Sequence, residues 1–234
     1  MLLDEDAITS ASYILPEAPL YSRRPISATT ALHHLLIDSK YIALHSHPPS
    51  SCFHLIMHAY HFDNLPGDQR LPHNSASPVS LDTLKSMNVL YMNIPVDGYE
   101  ERLATVAKEG DYKNHDIISI SKEGLGDQYN AKIKAFYEEH MHEDDELRYL
   151  LAGSGYFDIR EAPTDSWIRL ALTAGDLIAL PAGIYHRFTL DTWRQRENCP
   201  TDVPKWTALN RGPETEGHPI RLAYLKSLET VATV

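Results

Sequence analysis

The stretch Phe136–Arg160, FYEEHMHEDDELRYLLAGSGYFDIR, carries His140, His142 and Glu146 and then runs into a small-residue turn, Gly153-Ser154-Gly155. Successive side chains of an extended strand point to opposite faces. Positions 140, 142 and 146 share a parity, so the reading predicts three potential metal ligands on one face, with Arg148 following on the same side. A fourth donor has to come from elsewhere in the chain.

The segment Gly175–Leu190, GDLIALPAGIYHRFTL, offers it. Pro181 and Gly183 predict a tight turn, and His186 opens the run that follows, with Phe188 on its face. A hairpin of this kind brings His186 back across a barrel to the first cluster. Three imidazoles and one carboxylate leave two positions open on an octahedral ion, which suits a divalent iron or nickel that must also hold a chelating substrate. Structural zinc instead prefers a closed set of four ligands. The competing reading is an incidental His-x-His pair in a chain with 13 histidines. Glu146 in register and the turn before His186 favour the metal.

Around these two segments, the chain from about Lys132 to Leu190 reads as strands: IKAFYEEHMH, ELRYLLAG, GYFDIR, SWIRLAL, DLIALP and YHRFTL, separated by Gly, Pro and Asp turns. Many short strands with tight turns predict an antiparallel sandwich or barrel. From Met57 to about Asn130 the signals are helical. Ser80 stands as an N-cap before LDTLKSM, and YEERLATVAKEG is amphipathic with Gly110 as its stop. IRLAYLKSL predicts a short helix near the C-terminus. Residues 1–56, rich in Ser, Pro and His without a sustained period, read as a poorly ordered extension ahead of a domain spanning residues 57–234.

Composition limits the function classes. With 234 residues, 43% of them hydrophobic, the chain can bury one substantial core. A formal net charge of −11 and the lack of clustered Lys and Arg argue against nucleic acid or an anionic membrane as partner. Cys52 and Cys199 make neither a disulfide framework nor a CxxC pair, which fits a reducing compartment. Acids at Asp4, Glu5 and Asp6 do not suit a secretory or transit peptide. No run reaches the roughly 18 apolar residues that a membrane span requires. The expectation is a soluble, monomeric protein of the cytoplasm, with the nucleus as a second compartment.

The spacing His140-x-His142-x3-Glu146-x6-Gly153, followed by Gly175-x5-Pro181-x-Gly183-x2-His186, resembles the two motifs of the cupins, with Lys134 and Leu190 in place of the usual opening Gly and closing Asn. Within the cupins, KIKAFYEEHMHEDDELRYLLAGSGYFDIR, LPAGIYHRFTLD, HAYHFDNLPGDQRLPH and KWTALNR resemble the acireductone dioxygenase family of methionine salvage over roughly residues 57–225. The resemblance implies a mainly β cupin barrel (a double-stranded β-helix, or jelly roll) with added helices at both ends. It implies one Fe²⁺ or Ni²⁺ per chain, held by His140, His142, Glu146 and His186, and cleavage of 1,2-dihydroxy-3-keto-5-methylthiopentene with O₂. With iron the expected products are the 2-keto acid precursor of methionine and formate; with nickel they are methylthiopropionate, CO and formate. The bound substrate supplies the electrons, so no flavin or nicotinamide is expected.

Arg148 is then the group that pairs with the anionic substrate, against the plainer reading of a partner for the acidic run EDDE. Phe136 and Phe188 wall a dry pocket or belong to ordinary core. Trp206 resembles the family's pocket-closing tryptophan, against simple packing. Glu138, Glu139 and Asp144 read as solvated or hydrogen-bonded. One departure stands out: Asn198, Cys199 and Pro200 replace the Arg-Leu-Phe expected before KWTALNR, and the segment 192–204 has little strand pattern. A second function reading follows, a catalytically impaired cupin that binds metal or small molecules or serves as an interaction protein.

Overall fold

The computed structural model describes residues 8–14, 58–110, 112, 114–192 and 207–231. The runs punctuated by Gly and Pro become strands because apolar residues alternate along them and pack between two sheets. In chain order the strands are β1 (Ile8–Ile14), β2 (His58–Phe62), β3 (Asn74–Pro78), β4 (Leu90–Asn93), β5 (Asn114–Ile120), β6 (His140–Met141), β7 (Glu146–Ala152), β8 (Ser154–Arg160), β9 (Trp167–Thr173), β10 (Asp176–Leu180), β11 (His186–Leu190) and β12 (Leu209–Asn210). They form a five-stranded sheet, β4-β10-β7-β1-β5, and a seven-stranded sheet, β12-β6-β11-β8-β9-β2-β3. The paired strands run antiparallel in both sheets. This is the expected cupin jelly roll.

Side-chain alternation assigns the faces. Leu150, Ile178 and Leu180 of one sheet meet Phe157, Ile159, Ile168, Leu170 and Leu172 of the other in the main core. The opposite parity of the five-stranded sheet, Leu147, Tyr149, Leu177 and Ala179, is covered by Leu103 and Val106 of a helix. By the same alternation Glu146 and Arg148 share the inner side of β7 with Leu150. The face that carries the candidate site residues is therefore the one that looks across the barrel.

The helices are α1 (Leu81–Ser86), α2 (Tyr99–Glu109), α3 (Lys122–Leu125), α4 (Tyr129–Tyr137), α5 (Pro213–Glu216) and α6 (Pro219–Val231). Ser80 caps α1 as expected, its hydroxyl accepting from the Thr83 N–H at 3.0 Å. Gly110 closes α2, and α6 occupies the predicted C-terminal helix. None of the described helices is long and apolar enough to cross a membrane.

Three expectations need correction. IKAFY is not a strand but the second half of α4: Tyr129, Ile133 and Phe136 fall at i, i+4 and i+7, a helical stripe that packs against Ile120 and Leu190. The region read as helical, 57–130, also holds β2 to β5, short strands whose weak alternation is completed by neighbours distant in sequence. Residues 1–56, read as a poorly ordered extension, supply β1, whose Ile and Thr residues suit a strand and which pairs with both β5 and β7. Residues 15–57 lie outside the described residues.

Candidate metal centre

The ligand residues do converge, though not for the reason the parity argument gave. His140 sits in β6 of the seven-stranded sheet, whereas Glu146 opens β7 of the five-stranded sheet, and residues 142–145 turn the corner between them. A single strand face never exists. What joins the donors is the corner itself, stapled to the turn that delivers His186. The Ala182 N–H donates to Asp145 Oδ1 at 2.7 Å and the Gly183 N–H donates to the His142 carbonyl at 3.0 Å. Gly183 has φ +82°, and a Cβ there would stand 2.8 Å from the Ile220 carbonyl of α6. Only glycine fits this left-handed, crowded position. From α6, Arg221 donates to the Gly183 carbonyl at 3.0 Å and holds the turn from behind.

His140 and His186 are direct cross-strand partners, and Asn210 of β12 pairs with His140 on its other edge. The three imidazoles lie with ring centroids 4.5, 5.1 and 5.2 Å apart, and one ring nitrogen from each falls within 4.8 Å of the others. Each Nδ1 faces a backbone carbonyl: Glu138 for His140 at 2.7 Å, Thr207 for His142 at 3.3 Å and Ile184 for His186 at 3.1 Å. A carbonyl only accepts, so these contacts assign the proton to Nδ1 and leave the Nε2 lone pairs for coordination.

Glu146 completes the constellation. Its Oε2 lies 3.0 Å from His186 Nε2 and 3.9 Å from His142 Nε2, yet it is buried without a hydrogen-bond partner. Two lone-pair atoms at that separation, one of them a carboxylate, call for a cation between them. The other oxygen, Oε1, accepts from Arg148 Nε at 2.7 Å. Burial alone would push the Glu146 carboxyl up, but the Arg148 guanidinium beside it outweighs burial and holds it well below the usual range. Burial pushes His140 down to about 3, aided by His186. His142 is lowered by burial against the pull of Glu146. Neutral imidazoles and an ionised carboxylate are the protonation states that metal ligation requires. The set fits a divalent ion of imidazole and carboxylate preference, with no sulfur donor.

Residues 58–196 match the ARD/ARD' family. The chain belongs to this family. Among its relatives, acireductone dioxygenase 1 of Coprinopsis cinerea is 54% identical over 174 residues, covering 74% of this chain and 98% of that protein. The acireductone dioxygenase of Phaeosphaeria nodorum is 48% identical over 178 residues, 75% of this chain and 99% of that one. A solved structure, the acireductone dioxygenase from Bacillus anthracis with cadmium ion in active center, matches with a TM-score of 0.41 and 25% identity over 52% of this chain and 84% of that chain.

The remaining predicted residues of this family member divide into those the fold brings together and one it does not describe. Arg148, expected to face substrate, donates from Nε to the carboxylate of Glu146. Phe136 of α4 meets Phe188 edge-on at 6.3 Å, and Phe188 leans on Phe157 at 4.9 Å, so the two sit together at the inner wall. Trp206 and residues 193–204 of the divergent segment lie outside the described residues, although the next residue, Thr207, touches His142 through its carbonyl. Sequence reasoning missed the carbonyls that orient the histidines, because backbone atoms leave no trace in residue identity. It also missed Asp145 and Arg221, which do have identities; their signal was only adjacency to the ligand corner and to the C-terminal helix.

Proposed function

We propose that the chain is an acireductone dioxygenase of methionine salvage, cleaving 1,2-dihydroxy-3-keto-5-methylthiopentene with O₂. The observation that carries this reading is the buried set of three imidazoles, each with Nδ1 committed to a carbonyl, around a carboxylate oxygen that lacks a partner. It occurs in a chain that shares about half its aligned residues with enzymes of that name.

His140, His142, His186 and Glu146 would hold one divalent iron or nickel. When bound, the ion supplies Lewis acidity toward the enediol oxygens and a path for electrons from substrate to O₂. Arg148 holds Glu146 ionised and in place, and its charge on the inner face favours the anionic form of the substrate. Phe136 and Phe188, with Trp206, would exclude water around the thioether and the enediol, so that these charges act in a low-dielectric site. With iron the products are 2-keto-4-methylthiobutyrate and formate; with nickel they are methylthiopropionate, CO and formate. The protein acts as a monomer in the cytoplasm and nucleus, a reading that size-exclusion chromatography and imaging of the tagged chain would test.

The experiment is anaerobic loading with Fe²⁺ or Ni²⁺, addition of the acireductone and O₂, and identification of the products. Consumption of substrate with formate and the keto acid, or with CO, is expected. Loaded protein that consumes neither O₂ nor acireductone would instead support the second reading, a cupin that binds without turnover. The extent of the likeness to named dioxygenases does not favour that alternative.

A further inference from the structure

A charge cluster around Glu139 is left unused by the chemistry above. Glu139 directly precedes His140, and its carboxylate is held by arginines from two distant parts of the chain. Arg160, at the end of β8, donates from Nε to Oε1 at 2.8 Å and from an NH₂ group to Oε2 at 2.9 Å. Arg211, just past β12, donates to Oε1 at 2.9 Å, and its backbone N–H donates to the Glu139 carbonyl at 3.0 Å. Both arginines are themselves anchored. Arg160 lies over the Trp167 ring at 3.8 Å and donates to the Asp165 carbonyl. Arg211 also bonds Asp165 and Glu216, at 2.8 Å each.

The consequence reaches the metal ligands through one planar unit. The Glu138 carbonyl, which accepts from His140 Nδ1 at 2.7 Å, belongs to the peptide that ends at the Glu139 Cα. Fixing Glu139 by its side chain and by its own carbonyl anchors the Cα and N at one end of that peptide and so restrains the direction of the Glu138 oxygen. That bond is the shortest of the three between the histidines and their carbonyls.

We propose that Glu139, gripped by Arg160 and Arg211, is a positioning residue that sets the orientation and tautomer of the His140 imidazole. The inference rests on the metal reading of the histidine triad. Groups that orient a ligating histidine typically change metal affinity 10- to 100-fold when removed, whereas a purely structural clamp of side chains 18–28% exposed would lower stability without altering the geometry at the metal. The two roles therefore separate experimentally.

The test uses the full chain as wild type, Glu139→Gln, Glu139→Ala and Glu139→Asp, with Co²⁺ as a visible probe of ligand geometry. Cobalt affinity is measured by competition with a chelator, the visible spectrum of the loaded protein is recorded, and thermal unfolding of the metal-free proteins is followed in parallel. The expected result is affinity weaker by about 10- to 100-fold for Gln and Ala, an altered spectrum, and partial recovery of both in Asp, whatever loss of thermal stability accompanies them. Arg70→Ala, which breaks the exposed Arg70–Asp68 pair, should leave both cobalt readouts untouched. Variants with wild-type affinity and spectrum overturn the proposal. So does an affinity loss that only follows lost stability with the spectrum unchanged, since that marks a plain structural staple. Wild type that takes up no cobalt overturns the metal reading itself, and the clamp with it.

Discussion

His140 and His186 face each other as cross-strand partners of β6 and β11, their ring centroids 4.5 Å apart. A strand pair thus fixes half of the candidate ligand set, and His186 also stands 3.0 Å from Glu146 across the barrel. Replacing His186 with Ala should remove the donor that touches both sheets. Metal analysis of the purified variant is expected to show loss of iron and nickel, with little change in the fold by circular dichroism. Stoichiometric metal in His186→Ala would mean that the site lies elsewhere.

Arg148 is bound to the ligand carboxylate, and this sharpens its expected role. In Arg148→Ala the buried Glu146 oxygen loses a charge-assisted bond, and the substrate anion loses a nearby cation. Turnover should fall at least about tenfold, equivalent to roughly 1.4 kcal/mol of transition-state stabilisation, while metal is still taken up but released faster. Arg148→Lys should recover part of the turnover, because a point charge replaces a planar fork. Steady-state kinetics with release of metal to a chelator would check both parts; an alanine variant with unchanged kinetics and release would take Arg148 out of the site.

The candidate site was legible because it lies in identities: His140, His142, Glu146, Arg148 and His186 stand out by type and spacing, and the structure brings them together. Their geometry was not. The parity argument placed three ligands on one strand, whereas Asp145 and Gly183 hold a corner between two sheets. α4 was misread because Ile133, Phe136 and Tyr137 favour strands locally, and the helix gains its stability from packing on Ile120 and Leu190, which no local pattern shows. The buried ion cluster of Asp158, Arg169 and Arg187 also escaped, since single charges within apolar strands normally read as solvent-facing.

That cluster should dominate stability on the far side of the seven-stranded sheet. Arg169 and Asp158 are 0% and 1% exposed, paired at 2.6 and 2.9 Å, and Asp158 also accepts from Arg187 at 2.8 Å. Arg169 further donates to the carbonyls of Gln69 and Leu71, tying down the loop before β3. Asp158→Asn leaves two guanidinium groups without their shared counter-charge, and the expected cost is about 3–5 kcal/mol. Urea unfolding should show a lower midpoint at similar slope. A variant within experimental error of wild type would show that the aromatic rings of Phe62, Tyr156 and Trp167 carry these cations unaided.

Alkaline pH should unfold the protein partly through Tyr149. Its buried hydroxyl donates to the Ile94 carbonyl at 2.9 Å. Burial first, and then the charges of Tyr99, Glu100 and Asp176, push it up to about 12. An unfolded tyrosine titrates near pH 10, at about the model-peptide value. Between these values the unfolded chain gives up the proton and the folded chain keeps it. This contribution is therefore intact below about pH 10 and is lost as pH rises toward 12. Tyr149→Phe should flatten the fall in stability over that window, read from urea midpoints at several pH values; an unaltered slope would show that Tyr149 does not set it.

β1 makes a segment near the N-terminus, Ile8–Ile14, part of the barrel. Ile8–Ile14 lie between β5 and β7, with Ser12 opposite Arg148 and Tyr13 opposite Leu147. Deleting residues 1–56 would strip two ladders at once, leave β7 as a bare edge beside the metal centre and detach β5 from the sheet. At a net value near 1 kcal/mol for each backbone hydrogen bond, the loss should reach at least about 3 kcal/mol, and the exposed edge should favour aggregation. Ala11→Pro makes the same point without removing sequence, since proline in a central strand cannot donate to the ladder. Both variants are expected to show lower urea midpoints and reduced turnover, because the strand that flanks Arg148 is lost or broken. A chain beginning at Met57 that matches the full chain in midpoint, metal content and turnover would return residues 1–56 to the status of a dispensable extension.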